Sequence, residues 1–200
     1  MSGRGFVTLK TTAEHQAEVK GSLFLAYGTR ADTPEQGLAF LRTVAARHPA
    51  ASHLCWAYRI DDQYRFSDAG EPGGTAGQPI LRAIEGQGLD HVVVGVVRYF
   101  GGTKLGAGGL ARAYGGTAAE ALRTAERQEE LPRTEITVEV AFEHMGALYR
   151  LLDSLGLVER RETYTEHGLK VTVSLLESLG ERFRTELRNA TRGQFSLIDR

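Results

Sequence analysis

Residues His91 to Phe100 read HVVVGVVRYF, a nearly continuous β-branched apolar run of the kind found in a central strand buried on both faces. Glycine crowds around it: 14 of the chain's 24 glycines lie between Ser67 and Gly116, in SDAGEPGGTAGQP before the run and GGTKLGAGGLARAYGG after it. On the amino side, Pro79 to Gly86 carries Ile80, Leu81, Ala83 and Ile84 and reads as a short helix. On the carboxyl side, Ala107 to Arg127 places Leu110, Ala111, Tyr114, Ala118, Ala121, Leu122 and Ala125 on one helical stripe. Helix, buried strand, glycine-rich turn and helix in succession predict an α/β layer built on a right-handed crossover.

Upstream, Glu18 to Tyr27 reads as one strand, and Thr33 to His48 as a helix. Thr33 is placed to cap it, Pro34 fits the first helical position, and Gln36 completes a capping box. Ser52 to Ile60 (SHLCWAYRI) and Gln63 to Phe66 flank Asp61-Asp62, a hairpin signal. Arg127 to Arg133 (RQEELPR) is charged, contains Pro132 and marks a domain boundary. Beyond it the chain alternates strand, helix, strand, strand, helix and strand over Thr134–Phe142, His144–Leu155, Leu157–Thr165, Leu169–Leu176, Ser178–Ala190 and Gln194–Ile198. That is the ferredoxin-like βαββαβ order, with a hairpin turn at Glu166, His167 and Gly168 and helix caps at Gly156 and Gly193. The fold class is therefore α+β with two domains, residues 1–130 and 133–200, and a length of 200 residues accommodates two small cores.

Net charge is −1, with 14 basic and 14 acidic residues up to Pro132 and 10 and 11 after it, so no overall field draws the chain onto DNA or an anionic membrane. No DNA specificity is expected, and any RNA binding must come from a local patch. Met1 to Thr12 lacks the apolar stretch of a secretory signal, and the longest aliphatic run, Val92 to Val97, is too short to span a bilayer, which predicts a cytoplasmic location without membrane attachment. A lone cysteine, Cys55, excludes an internal disulfide and any CxxC site.

Two loops carry the candidate chemistry. In the first, Asp68 and Glu71 stand three apart in a loop that Gly70, Pro72, Gly73 and Gly74 keep from being helical, and Thr75 is placed to cap the next helix. The two carboxylates suit either a cation or acid–base work; alternatively, Asp68 bonds nearby backbone and Glu71 pairs with an arginine. The second, RYFGGTKLGAGGLARAY, turns through Gly101 and Gly102 and enters a helix through Gly106, Gly108 and Gly109, with Arg98, Lys104 and Arg112 and no acid. A glycine-lined helix start lets backbone N–H groups approach a phosphate, so these eight residues form a candidate phosphate or nucleic-acid site. The competing reading is that the glycines permit close packing and left-handed turns while the arginines neutralise Asp68 and Glu71. GxxxxGK[ST] and GxGxxG are absent from this stretch. His53 and Cys55 share one side of their strand but read as a subsurface histidine beside an inert thiol, and the six histidines show no ligand spacing. No catalytic residue, metal or cofactor is assigned.

Together, DAGEPGGTAGQPIL and RYFGGTKLGAGGLARAY, with SHLCWAYRI upstream, resemble the signature of the YigZ/IMPACT family, and the trailing βαββαβ module is similar to that of its bacterial members. The matching motif positions are Asp68, Gly70, Glu71, Pro72, Gly74, Thr75, Gly77 and Pro79 in the first loop and Arg98 to Gly102, Lys104 to Gly106, Gly108 to Leu110 and Arg112 to Tyr114 in the second. Where the family usually has a basic-Ser-hydrophobic-Phe strand start, this chain has Lys20-Gly21-Ser22-Leu23-Phe24, with an inserted glycine and no arginine. The resemblance implies an N-terminal domain similar to the second domain of small-subunit ribosomal protein five and to domain IV of elongation factor G, and a C-terminal domain like that factor's domain V. It implies a connection with translation, through RNA, the ribosome or a translation factor; the partner-binding RWD domain of eukaryotic relatives has no counterpart in this sequence. The alternative is an enzyme acting on a nucleotide or phosphorylated ligand, with Asp68 or Glu71 as base or metal ligand. A third reading makes both loops structural, in a protein-interaction module.

Overall fold

The computed structural model of the chain describes residues 5–198; the outermost positions of the two expected domain ranges, 1–4 and 199–200, lie outside them. The chain divides into two compact units, one of Phe6–Glu130 and the other built from Leu131 onward.

The first unit is built on the apolar run, now strand β6 (Val92–Tyr99), at the centre of a five-stranded sheet. Its order is β2 (Ala13–Val19), β3 (Ser22–Arg30), β6, β4 (His53–Ile60), β5 (Gln63–Ser67). Every neighbouring pair is antiparallel, so β3 and β4, joined through α1 (Pro34–Arg47), run parallel to one another on either side of β6. Burial of β6 on both faces thus comes from helices above and below an antiparallel sheet. On one face Val92, Val94 and Val96 pack with Phe24, Ala57 and the apolar stripes of α2 (Gly77–Gly86) and α3 (Gly106–Thr124). On the other, Val93 and Val97 meet Leu41 and Val44 of α1, with Tyr58 and Tyr27 alongside. Thr33 caps α1 by accepting from the Gln36 N–H at 3.3 Å, and the Gln36 side chain accepts from the Asp32 N–H at 2.8 Å, a capping box offset by one residue.

Two expectations change. Glu18 to Tyr27 is broken by a two-residue turn at Lys20 and Gly21, both left-handed at φ 48° and 79°, which makes a hairpin of β2 and β3. The charged segment read as the domain boundary begins with a strand, β7 (Arg127–Glu130), paired with β1 (Phe6–Leu9) in a separate two-stranded sheet. Arg30 donates to Glu130 and ties that strand to β3, so the boundary falls at the end of β7.

The second unit is ferredoxin-like: β8 (Arg133–Ala141), α4 (Met145–Ser154), β9 (Arg160–Tyr164), β10 (Gly168–Leu176), α5 (Gly180–Ala190) and β11 (Ser196–Leu197), in sheet order β11-β8-β10-β9. Ile136, Val138, Val171 and Val173 bury one face of the sheet under Leu148, Leu152, Phe183 and Leu187. The hairpin turn is Thr165 to His167, while Gly168 belongs to β10, where an added Cβ would lie 1.9 Å from the Val140 carbonyl oxygen.

Candidate nucleic-acid interface

Asp68 organises the first loop. Its Oδ1 accepts from the N–H groups of Ala76 at 2.9 Å and Gly77 at 2.8 Å, and its Oδ2 from Gly74 at 2.8 Å. It thereby caps α2, whose own N-cap position is an alanine. Burial pushes the carboxyl up, but the three N–H donors outweigh it and hold the pKa below the usual range. Thr75, expected to cap this helix, instead donates to the Pro72 carbonyl at 2.6 Å, because Asp68 already occupies the amides. Gly77 has no room for a side chain: an added Cβ would stand 2.8 Å from the Ser67 backbone.

Glu71 turns inward. Its Oε1 accepts from Arg98 Nη1 at 2.6 Å and from the Tyr114 hydroxyl at 2.7 Å, and His53 Nε2 lies 4.0 Å away. The Glu71 and Arg98 side chains are 5% and 6% exposed. The other Arg98 terminal nitrogen donates to Ser22 Oγ at 3.3 Å, and the guanidinium lies 5.5 Å and 5.4 Å from the rings of Phe24 and Phe100. Arg98 Nε is buried without a partner among the described residues. His53 donates through Nδ1 to the Ala69 carbonyl at 2.9 Å, and Cys55 Sγ donates to the Asp68 carbonyl at 3.0 Å. Burial, with the charges of Glu71 and Asp68, pushes the thiol up to about 12, and burial likewise raises the Tyr114 phenol. Both loop carboxylates therefore serve the loop itself, one on backbone amides and one on an arginine. Among the described residues no group of three or more His, Cys, Asp or Glu side chains is placed to hold a metal ion.

The second loop starts α3 against this pair. Gly101 touches the β2–β3 turn so closely that a Cβ would lie 1.9 Å from the Gly21 carbonyl oxygen, and Ser22 Oγ accepts from the Gly101 N–H at 3.2 Å. The inserted Gly21 and the following serine thus shape the loop from a neighbouring strand. Gly102 and Gly106 are left-handed at φ 87° and 70°, and no side chain caps the amides at the start of α3. A 230 Å³ pocket opens there between Glu71, Arg98, Phe100, Lys104 and Gly106. A second, of 210 Å³, shares Leu105 with it and is lined by Lys20, Gly109 and Arg112.

The structure thus sorts the expected phosphate-binding residues. Lys104, Gly106, Gly109 and Arg112 line the two pockets; Gly101 and Gly102 shape the turn, and Gly108 sits exposed on the first turn of α3. Arg98 lines the first pocket, but its guanidinium is buried and committed to Glu71, which leaves the surface charge to the exposed Lys104 and Arg112. Lys20, Ser22 and Tyr114 complete the site. The Lys-Gly dipeptide, a left-handed turn signal, is the feature that announces Lys20 and Ser22; nothing in the sequence says that the Tyr114 hydroxyl reaches Glu71.

A two-unit α+β protein with a buried Glu–Arg pair beneath an uncapped, basic helix start defines a recognisable class. The chain matches the Impact N-terminal domain over residues 20–122. It is 50% identical over 157 residues, 78% of this chain and 86% of the other, to a Thermus thermophilus protein described as an IMPACT family member in the pol 5′ region. It is 36% identical to the IMPACT family member YigZ of Escherichia coli K12, over 90% of this chain and 91% of that one. A crystal structure of a hypothetical protein superposes with a TM-score of 0.80 at 32% identity, covering 99% of this chain and 98% of its own. The chain belongs to the IMPACT family. No helix among the described residues is long and apolar enough to cross a membrane.

Proposed function

We propose that the protein acts in translation by binding the phosphate backbone of ribosomal RNA at the start of α3. The observation that carries this reading is the charge arrangement there. Lys20, Lys104 and Arg112 are exposed, form no ion pair among the described residues and border two adjoining pockets beside uncapped helix amides. Such a site attracts an anion by both charge and helix dipole. Membership of a family generally linked to translation regulation supports RNA as the source of that anion.

The open face of the second unit's sheet mixes signs, with Glu135 paired to Arg161 at 2.9 Å and Thr137 to Thr172 at 2.9 Å. It offers hydroxyls for hydrogen bonding and little net field, so affinity rests on the three cations. Cosedimentation with ribosomal subunits across a salt series tests the reading. Three phosphate contacts give a log–log salt slope near ~2. The Lys104→Ala/Arg112→Ala protein is expected to lose most of that slope and its low-salt binding. Unchanged cosedimentation of the double variant, or none for the parent protein at low salt, refutes it.

A further inference from the structure

The pocket between Glu71 and Lys104 is more apolar than a backbone clamp requires. Pro72, Phe100, Leu105 and Leu110 contribute to its lining, and Phe100 is 51% exposed although it sits beside charged residues. At 230 Å³ it is smaller than the ~300–1,000 Å³ of sites that enclose a drug-sized ligand, which suits one planar ring system and not two. The Phe100 ring is held in place. Arg98 lies 5.4 Å from its centroid, and Arg98 is fixed in turn by Glu71 and Ser22. Arg98 is more than nine-tenths buried, lines the same pocket and keeps its Nε without a partner among the described residues.

An ordered, half-exposed aromatic next to unpaired cations is the combination that binds single-stranded nucleic acid, where bases stack on the ring and phosphates follow the charges. We infer that this pocket takes one unpaired base of single-stranded RNA, stacked on Phe100, while the flanking phosphates lie along Lys104, Arg112 and Lys20. The inference rests on the RNA-binding reading of the same site and adds the kind of RNA bound. A duplex keeps its bases stacked inside the helix and reaches only the cations, so it is bound more weakly.

The test measures fluorescence anisotropy of the full chain with a labelled oligouridylate of about 12 nucleotides, within the site sizes of single-strand binders, and with an RNA duplex of the same length. The parent protein is expected to favour the single strand by roughly tenfold. Phe100→Ala should lose about tenfold on the single strand, one base–aromatic stack, with duplex binding unchanged, and Phe100→Tyr should retain it. Lys104→Ala/Arg112→Ala should weaken both RNAs. If Phe100→Ala binds the oligouridylate as the parent does, or the duplex binds as tightly as the single strand, the base pocket is wrong while the backbone site stands. If the parent binds neither RNA at low salt, both readings fall.

Discussion

The Glu71 carboxylate and the Arg98 guanidinium meet at 2.6 Å with almost no solvent access. A buried ion pair of this kind adds little over an apolar pair, but removing one partner strands the other charge at a cost of ~3–5 kcal/mol. Glu71→Ala is therefore expected to destabilise the first unit by about that amount. Glu71→Gln/Arg98→Met should recover at least half, since neither charge remains. Urea unfolding followed by the fluorescence of Trp56, the single tryptophan, which lies in β4, reads this unit alone. Equal losses in the single and double variants would show that the pair is not coupled.

Asp68 links the first loop to pH. Its folded-state pKa is depressed, so its contribution to stability is fully present above the ordinary carboxyl value near ~3.9 and is lost as pH falls through the lower folded value. Asp68→Ala removes the acceptor for three amides and should cost ~1–2 kcal/mol near neutral pH, as for a lost helix cap. Thermal melts from neutral pH down to the carboxyl range should show the parent and variant converging as acid protonates Asp68. A gap that stays constant with pH would assign the loss to packing and not to the charge.

Periodicity made most of the fold legible. The β6 run, the α1 capping box and the βαββαβ order all arise from local patterns, and each lies close to where it is expected. The misread segments are those decided by distant partners. RQEE becomes a strand only because Phe6–Leu9 pairs with it, and the β2–β3 hairpin turns at Lys20 and Gly21, where a single glycine is the whole of the local signal. The site was legible as residue types and not as roles. Arg98 looks like a phosphate ligand in sequence because burial is a tertiary property, and a sequence separation of 27 from Glu71 conceals their contact. Asp68 takes the capping role that proximity gives to Thr75, since a carboxylate reaching across six to nine residues leaves no local signature.

Two helix and loop glycines of the same region should respond in opposite directions to alanine. At Gly101 a Cβ would lie 1.9 Å from the Gly21 carbonyl oxygen, backbone against backbone, so Gly101→Ala must separate the β2–β3 turn from the loop and is expected to cost more than ~2 kcal/mol. Gly116 is exposed in α3 and has nothing within 4 Å of that position. Gly116→Ala should stabilise by ~1 kcal/mol through helix propensity. A melting-temperature comparison checks both signs.

Cys55 sits at zero exposure in β4 with its thiol donating to the Asp68 carbonyl and its pKa pushed up to about 12 by burial. Thiolate is the reactive species, so at mildly alkaline pH the folded protein should be modified by iodoacetamide far more slowly than an ordinary cysteine, whose pKa is near ~8.5. In denaturant the rate should rise to that of a model thiol. The same measurement bears on function, because a nucleophilic role for Cys55 with His53 as base requires the opposite behaviour. His53 is already committed through Nδ1 to the Ala69 carbonyl, and its other nitrogen is near Glu71. Alkylation of the native protein at a rate approaching that of the unfolded chain would mean that the loop carrying Asp68 opens readily, and the rigid platform beneath Phe100 would have to be abandoned with it.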